Sequence, residues 1–355
     1  MEFGITLPTK ADSWAVVERA EKLGFGYAWF YDTPVLSADL LVAMGAAAMK
    51  TSRIKLCTGV CIPSNRLAPV AANALATLNA LAPGRVVFGV STGYTGRRTM
   101  GLGPVPLARL AKYVQVVEGL LKGQTVEWSE EGGTHKVRFL NPELGHINTK
   151  DPIPTFISAF GPKARATVAK LGANWIGAVS YPQREKADID DITAAWKRNG
   201  RNIADFYAAA TTGGCVLDDG EPADSPRCMA QAGPYAAIAF HNMVEVDQFG
   251  SVMPSDGPFP FAAELEAYRK VYEKYEPADA RYLSNHRGHL ILVRPDEKHI
   301  TGDVVRALTF TGTRSELVER AQEMKVMGYK QIMVNIIPGQ EEDMLTRLAE
   351  LAARI

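Results

Sequence analysis

One junction recurs three times in this 355-residue chain and restricts its fold more than any other feature. In AEKLGFGYAWF, AKLGANWIGAV and EMKVMGYKQIMV, a segment of helical period runs through a glycine into a short aromatic or β-branched run. Glycine supplies the left-handed cap that ends a helix, and a strand follows within a few residues. These are copies of one supersecondary unit, and the rest of the chain keeps the same rhythm. Eight strand candidates alternate with helical segments: EFGITL, YAWFYD, IKLCTGVC, RVVFGVSTG, PTFISAF, NWIGAVS, DFYAAATTGGCVLD and YKQIMVNIIP. Such alternation predicts the α/β class with a parallel sheet. Eight units closing on themselves make a (β/α)8 TIM barrel, expected as a single domain over residues 1–355. About 250 residues suffice for such a barrel, so roughly 100 belong to insertions. Two segments break the rhythm, about 125–153 and about 218–311. They are expected at the C-terminal face, as lids, substrate walls or subunit contacts.

Lys plus Arg (39) equals Asp plus Glu (39), which leaves no global field to attract nucleic acid or an anionic membrane. A small molecule is the expected partner. The opening MEFGITLPTKADSWAV has no basic segment followed by an apolar one. No later run approaches the roughly 18 apolar residues of a membrane span, so a soluble cytoplasmic protein is expected. Four cysteines (Cys57, Cys61, Cys215, Cys228) are too few for a disulfide framework, and buried thiols are expected.

Between Arg85 and Pro104, RVVFGVSTGYTGRRTMGLGP contains Gly89-Val90-Ser91-Thr92-Gly93, a formal match to the G-x-S-x-G nucleophile elbow. An elbow needs a helix directly after its serine. Here glycines and prolines postpone the helix to about Leu107, and neither an HGGG-type loop nor an ordered Asp and His follows. Ser91 is therefore expected to pack or hydrogen-bond at the strand end. What remains is a glycine-rich loop in which Gly93, Gly96, Thr92, Tyr94 and Thr95 either meet a ligand or only turn the chain. Arg97 and Arg98 either reach a phosphate or face solvent.

EFGITLP, AEKLGFGYAWFYDTP, TSRIKLCTGVCIPS, LATLNALAPGRVVFGVSTG and FISAFGPKARATVAKLGANWIG, in this order and spacing, resemble the luciferase-like, or bacterial-luciferase-family, flavin-dependent oxidoreductases. The resemblance implies a flavin, or an 8-hydroxy-5-deazaflavin coenzyme, lying across the C-terminal strand ends. It implies Asp32 and Thr33 near the isoalloxazine ring and Val60 and Cys61 beneath it, where the family often has a non-prolyl cis peptide. Thr92, Gly93 and Tyr94 are implied beside the ring, and Ala159, Phe160, Gly161, Pro162 and Lys163 at a phosphate-binding turn. Physics supports that turn independently, since a helix N-terminus offers unpaired NH groups and the positive end of its dipole. Bacterial luciferase has an arginine where this chain has Thr92, so the phosphate is left to the fifth-strand turn or Arg97.

Asp32 of FYDTP is either a turn former or a catalytic contact to flavin or substrate. His286 and His289 of SNHRGHL are candidates for the substrate face, as proton donors, substrate contacts or structural hydrogen-bonding groups. His241 of AFHNMVE is a weaker candidate. A metal would need a further ligand at suitable spacing, which the sequence does not display, so no metal site is expected.

The resemblance implies an enzyme. The leading expectation is a two-component monooxygenase using O2 and reduced FMN, supplied by a separate flavin reductase, on a small organic substrate. A deazaflavin-dependent hydride-transfer reductase or dehydrogenase of the methylenetetrahydromethanopterin reductase type is the alternative. A non-catalytic flavin-binding protein is a third. A G-x-G-x-x-G fingerprint is not seen, so tight NADH binding is not expected. Family members are often homodimers.

Overall fold

The computed structural model describes residues 1–180, 182–250 and 259–355. Strands β1 (Glu2–Leu7), β2 (Tyr27–Phe30), β3 (Lys55–Thr58), β4 (Val86–Val90), β5 (Thr155–Ser158), β6 (Asn174–Ala178), β7 (Ala208–Thr212) and β8 (Gln331–Asn335) form a closed barrel. Each strand pairs in parallel with its sequence neighbour, and β8 closes on β1 with Glu2 opposite Gln331 and Thr6 opposite Asn335. All eight expected strands are present, and the fold is an α/β TIM barrel. The strands are short and buried on both faces, as a parallel sheet covered by helices requires.

Helices α1 (Trp14–Lys22), α2 (Leu40–Ala48), α3 (Ala68–Leu81), α4 (Leu107–Leu121), α5 (Pro162–Leu171) and α6 (Pro182–Arg198) follow the first six strands. The three junction glycines act as expected. Gly172 and Gly328 are left-handed caps with φ of 72° and 115°, and Gly24 takes φ 96° just past α1. Inside the barrel, Tyr27, Trp29, Cys57, Val87, Phe156, Ile176, Ala209 and Met333 make one apolar cluster. A larger core packs the outer strand faces against the helices.

The two excursions differ. The first runs from a hairpin, Val126–Glu130 with Gly133–Val137, to the turn around Asn148. It connects the end of α4 to the start of β5, so it leaves the barrel at the N-terminal face, opposite the strand ends. Asn79, near the C-terminal end of α3, fastens it by donating to the carbonyls of Asn148 and Asp151. This corrects the expectation that both insertions lie at the C-terminal face. A helix-to-strand connection cannot rise from the mouth.

The second excursion follows β7 and does rise from the mouth. It carries α7 (Pro226–Val244), α8 (Ala262–Tyr272) and α9 (Gly302–Leu308), and it returns before α10 (Arg314–Met327) and α11 (Glu341–Ala352). Residues 251–258 of this expected insertion lie outside the described residues. A parallel pairing of Val216–Leu217 with Gly312–Thr313 clasps its two ends. DFYAAATTGGCVLD, expected as one strand, is thus two, broken at Gly213-Gly214 where the chain passes under the Phe310 backbone. Among the described residues no helix is long and apolar enough to cross a membrane. All four cysteines are free and buried.

Candidate active site

The expected cofactor residues lie just past the ends of β2, β3, β4 and β5, four adjacent staves of the barrel. Asp32 follows β2 and is 4% exposed. Its carboxylate accepts from the Ile62 backbone NH at 3.0 Å and from Arg66 Nη1 at 3.1 Å. Arg66 in turn holds Asp39, the N-cap of α2. Asp32 is thereby the tie between the β2 and β3 loops. Thr33 donates to Ser37 Oγ at 2.7 Å within the same loop.

Past β3, the Gly59–Val60 peptide is cis, at the place where the family resemblance implied one. Val60 is half-buried and packs on the apolar cluster inside the barrel. Cys61 points the other way, into the outer core, with its Sγ 3.9 Å from the Tyr113 hydroxyl of α4. Burial, with the Asp32 carboxylate nearby, pushes its thiol up to about 12. The Cys61 backbone is spent on β4, its NH donating to the Gly89 carbonyl at 2.8 Å and its carbonyl accepting from the Ser91 NH at 3.2 Å, and its side chain is a correction to the expected ring contact.

The β4 end accounts for four of the five letters of GVSTG. A Cβ on Gly89 would lie 2.1 Å from the Thr58 carbonyl oxygen and 2.9 Å from the Trp29 ring. Thr58 Oγ1 bonds both Gly89 O and Gly89 N, so only a bare backbone fits. Ser91 Oγ donates to the Ser158 carbonyl at 2.9 Å, a strand-end bond and no nucleophile. Gly93 takes φ 81°, which a side chain rarely adopts. Half-buried Thr92 accepts from the Val105 NH at 2.8 Å. A short helical turn, Thr95–Arg98, precedes the helix expected at about Leu107, and it starts four residues past Ser91.

Both arginines of this loop are committed. Arg97 donates its Nε to the Gly103 carbonyl. Arg98 is buried, donating to Glu245 at 3.2 Å and to the Gly250 carbonyl at 2.6 Å, with its guanidinium 4.5 Å from the Tyr94 ring centroid. It neither faces solvent nor points to a phosphate seat.

Tyr94 links this loop to the excursion. Its ring meets His286 and His289 edge-on, with centroids 6.0 and 5.9 Å away, and Thr95 Oγ1 lies 2.9 Å from His289 Nε2. His286 and His289 are each 2% exposed, so the expected open substrate face is corrected to a sealed cluster behind Tyr94. His241 joins them from α7, with its Nδ1 2.7 Å from His289 Nδ1. Burial, reinforced for His241 by Arg294 and for His289 by the neighbouring imidazoles, holds both rings well below the ordinary histidine range.

At the β5 end, Ala159 is buried and its carbonyl accepts from Trp175 Nε1 at 2.7 Å. The Phe160 carbonyl accepts from Arg165 Nη1 at 2.6 Å. Gly161 is the extended N-cap of α5, with nothing within 4 Å of where its Cβ would be, and Pro162 fills the first helical turn. Pro162 and Lys163 are exposed. The N-terminus of α5 thus has no side-chain cap and carries an exposed lysine in its first turn.

The luciferase-like monooxygenase profile matches residues 1–331. This chain belongs to that family. A 5,10-methylenetetrahydromethanopterin reductase of Archaeoglobus fulgidus is 24% identical over 330 residues, covering 92% of this chain and 90% of the relative. In structure, the chain is similar to the coenzyme F420-dependent tetrahydromethanopterin reductase of Methanopyrus kandleri, with TM-score 0.70, 21% identity, and coverage of 98% and 97% of the two chains. It is also similar to the oxygenating constituent of a Pseudomonas putida 3,6-diketocamphane monooxygenase holding FMN. That likeness has TM-score 0.67, 12% identity, and coverage of 100% and 98%. The luciferase-like chain is an oxidoreductase of the flavin and deazaflavin class.

Several groups at this mouth escape sequence reasoning. Tyr31 OH donates to Asn335 Oδ1 at 2.8 Å and lies 2.6 Å from Thr6 Oγ1, while Asn335 Nδ2 reaches the Leu290 carbonyl at 3.1 Å. This knot joins β1, β2 and β8 to the excursion. Tyr31 adjoins Asp32 at a strand end, a signal that could have selected it. Glu245, Glu297 and Arg66 carry no local signal, because their partners are distant in sequence.

Proposed function

We propose that this chain is a deazaflavin-dependent oxidoreductase that moves a hydride between its coenzyme and a small organic substrate. The observation that carries the reading is the likeness to a methylenetetrahydromethanopterin reductase along 92% of the chain. The F420-dependent reductase of similar fold supports it further.

The residues at the mouth suit a tricyclic cofactor with a phosphate-bearing tail. Val60 on the apolar barrel cluster offers a flat floor, and the Thr92–Tyr94 loop offers backbone beside it. The N-terminus of α5, with Gly161, Pro162 and Lys163, suits the phosphate. When bound, the deazaflavin supplies a carbon that accepts or gives a hydride; the protein supplies position and excludes water. In this reading Asp32 holds the loops rather than carrying a proton, since Ile62 and Arg66 engage its carboxylate. His286 and His289 back the Tyr94 wall. The chain acts as one barrel domain with two excursions.

The FMN-dependent monooxygenase fed by a flavin reductase is the second reading, favoured by the FMN-holding structural neighbour. Equilibrium titration of the purified chain with F420, FMN and reduced FMN separates the two. F420 binding at least tenfold tighter is expected, and tighter reduced FMN overturns the reading. Lys163→Ala should weaken F420 far more than its phosphate-free deazaflavin analogue. Equal losses remove Lys163 from the phosphate seat.

A further inference from the structure

The mouth does not use the feature that the second excursion builds most densely, the convergence of three imidazoles. His241 comes from α7, while His286 and His289 come from the turn after the short helix Tyr282–Asn285. All three are 2% exposed. One nitrogen from each lies within 4.8 Å of the other two. The 286–289 pair is 3.4 Å apart and the 241–289 pair 2.7 Å, each measured between Nδ1 atoms.

The outer nitrogens fix where the protons are. Glu297 already accepts from the Arg294 backbone NH at 2.7 Å and pairs with the Arg294 guanidinium at 2.8 Å. As a carboxylate it only accepts, so the His241 Nε2 beside its Oε1 carries the proton. Glu245 likewise accepts from Asn285 Nδ2 at 2.7 Å and Arg98 Nη1 at 3.2 Å, so the His286 Nε2 at 2.9 Å is also the donor. A neutral imidazole with its proton on Nε2 has a lone pair at Nδ1, and the Nδ1 atoms of His241 and His286 both lie against His289 Nδ1. His289 brings at most one proton to that point, and none if its Nε2 donates to Thr95. Three buried nitrogens thus share one proton or no proton. A buried acceptor without a donor costs about 1–3 kcal/mol. A cation at the convergence point satisfies all three.

We propose that His241, His286 and His289 form a buried site for a divalent transition-metal ion, with zinc the ion this nitrogen set suits. Zinc–imidazole bonds of about 2.0–2.1 Å at a tetrahedral angle put ligand nitrogens about 3.3 Å apart. The 286–289 separation already matches, and the 241–289 pair needs to open by about 0.6 Å. The outer contacts have the form such a site requires, each ring bonding a carboxylate or hydroxyl through its other nitrogen. Three protein ligands leave a fourth position to a non-protein group. Because Arg98 and Arg294 already balance Glu245 and Glu297, charge favours an anion there. The sequence did not show the third ligand because His241 stands 45 residues before His286, on another helix.

The test uses the full chain stripped with chelator and titrated with Co2+, then Zn2+. Visible d–d bands that saturate at one equivalent and vanish on adding Zn2+ are expected. X-ray absorption of the zinc form should report three imidazoles. His241→Asn and His286→Asn should each abolish the bands, and Glu245→Gln should weaken zinc about 10–100-fold. His146→Asn, on an exposed histidine, should bind as the parent does. The absorption measurement needs no variant, so misfolding of a variant does not blunt the test. No d–d bands, a zinc shell without imidazole, or unchanged affinity in a folded His241→Asn/His286→Asn double variant overturns the proposal.

Discussion

An alanine at position 89 would drive its Cβ into the Thr58 carbonyl oxygen, a contact that backbone on both sides cannot relieve. Two residues on, the Ser91 hydroxyl makes one hydrogen bond, to the Ser158 carbonyl. The two substitutions should therefore separate. Gly89→Ala is expected to cost about 1–3 kcal/mol by overpacking. Ser91→Ala should cost about 1 kcal/mol and leave turnover largely intact. Urea unfolding and initial rates check both, and near-total loss of activity in a folded Ser91→Ala would restore the nucleophile. The sequence was legible here because the helix expected of an elbow does not follow Ser91 directly. The directions of Cys61 and Arg98 were not legible. A strand's alternation fixes which way Cys61 points only once the Thr58–Cys61 backbone is known, and Arg98 is set by Glu245, 147 residues away.

Among the elements, the β2 and β3 loops depend on one ion pair. Asp32 and Arg66 have side chains only 3% and 14% exposed, and the same carboxylate caps the Ile62 NH. Removing one partner of such a pair leaves the other poorly compensated, at about 3–5 kcal/mol. Asp39 still holds Arg66, so Asp32→Asn is expected near the lower bound, about 3 kcal/mol, with cofactor affinity falling as the loops loosen. A stable variant with unchanged affinity would deny Asp32 this tie. FYDTP marked the strand end, because strand and turn signals are local. Arg66, 34 residues away, carried no mark, since a salt bridge across two loops is invisible until the barrel sets them side by side. The face of each excursion was legible in principle, because helix-to-strand links return to the barrel's N-terminal end.

At the scale of the whole molecule, the second excursion is fastened to the last helix by charge. Arg227 reaches Asp343 at 3.1 Å, Arg347 reaches Asp218 at 2.6 Å, and Glu221 holds Arg227. Burial raises Glu221, but bonds from Arg227, Ser225 and the Asp218 NH outweigh it and hold the carboxyl down at about 2. A depressed folded value means stability that is present above the unfolded value, near 4.5, and lost as pH falls toward 2. The urea midpoint of Glu221→Gln should trail the parent by a constant gap above about pH 5 and close on it below 4.5. A gap that widens on acidification contradicts the assignment.

The eight-stranded barrel was legible from the period of the chain, whereas the choice of cofactor is written in contacts that no short motif records. The most direct measurement is turnover of F420 under strict anaerobiosis, followed by the coenzyme's visible absorbance, against a panel of secondary alcohols, sugar phosphates and carbonyl compounds. The account predicts hydride transfer with at least one member of the panel at a rate unchanged by admitting air. Product formed only with O2 and reduced FMN, with F420 inert throughout, would contradict it.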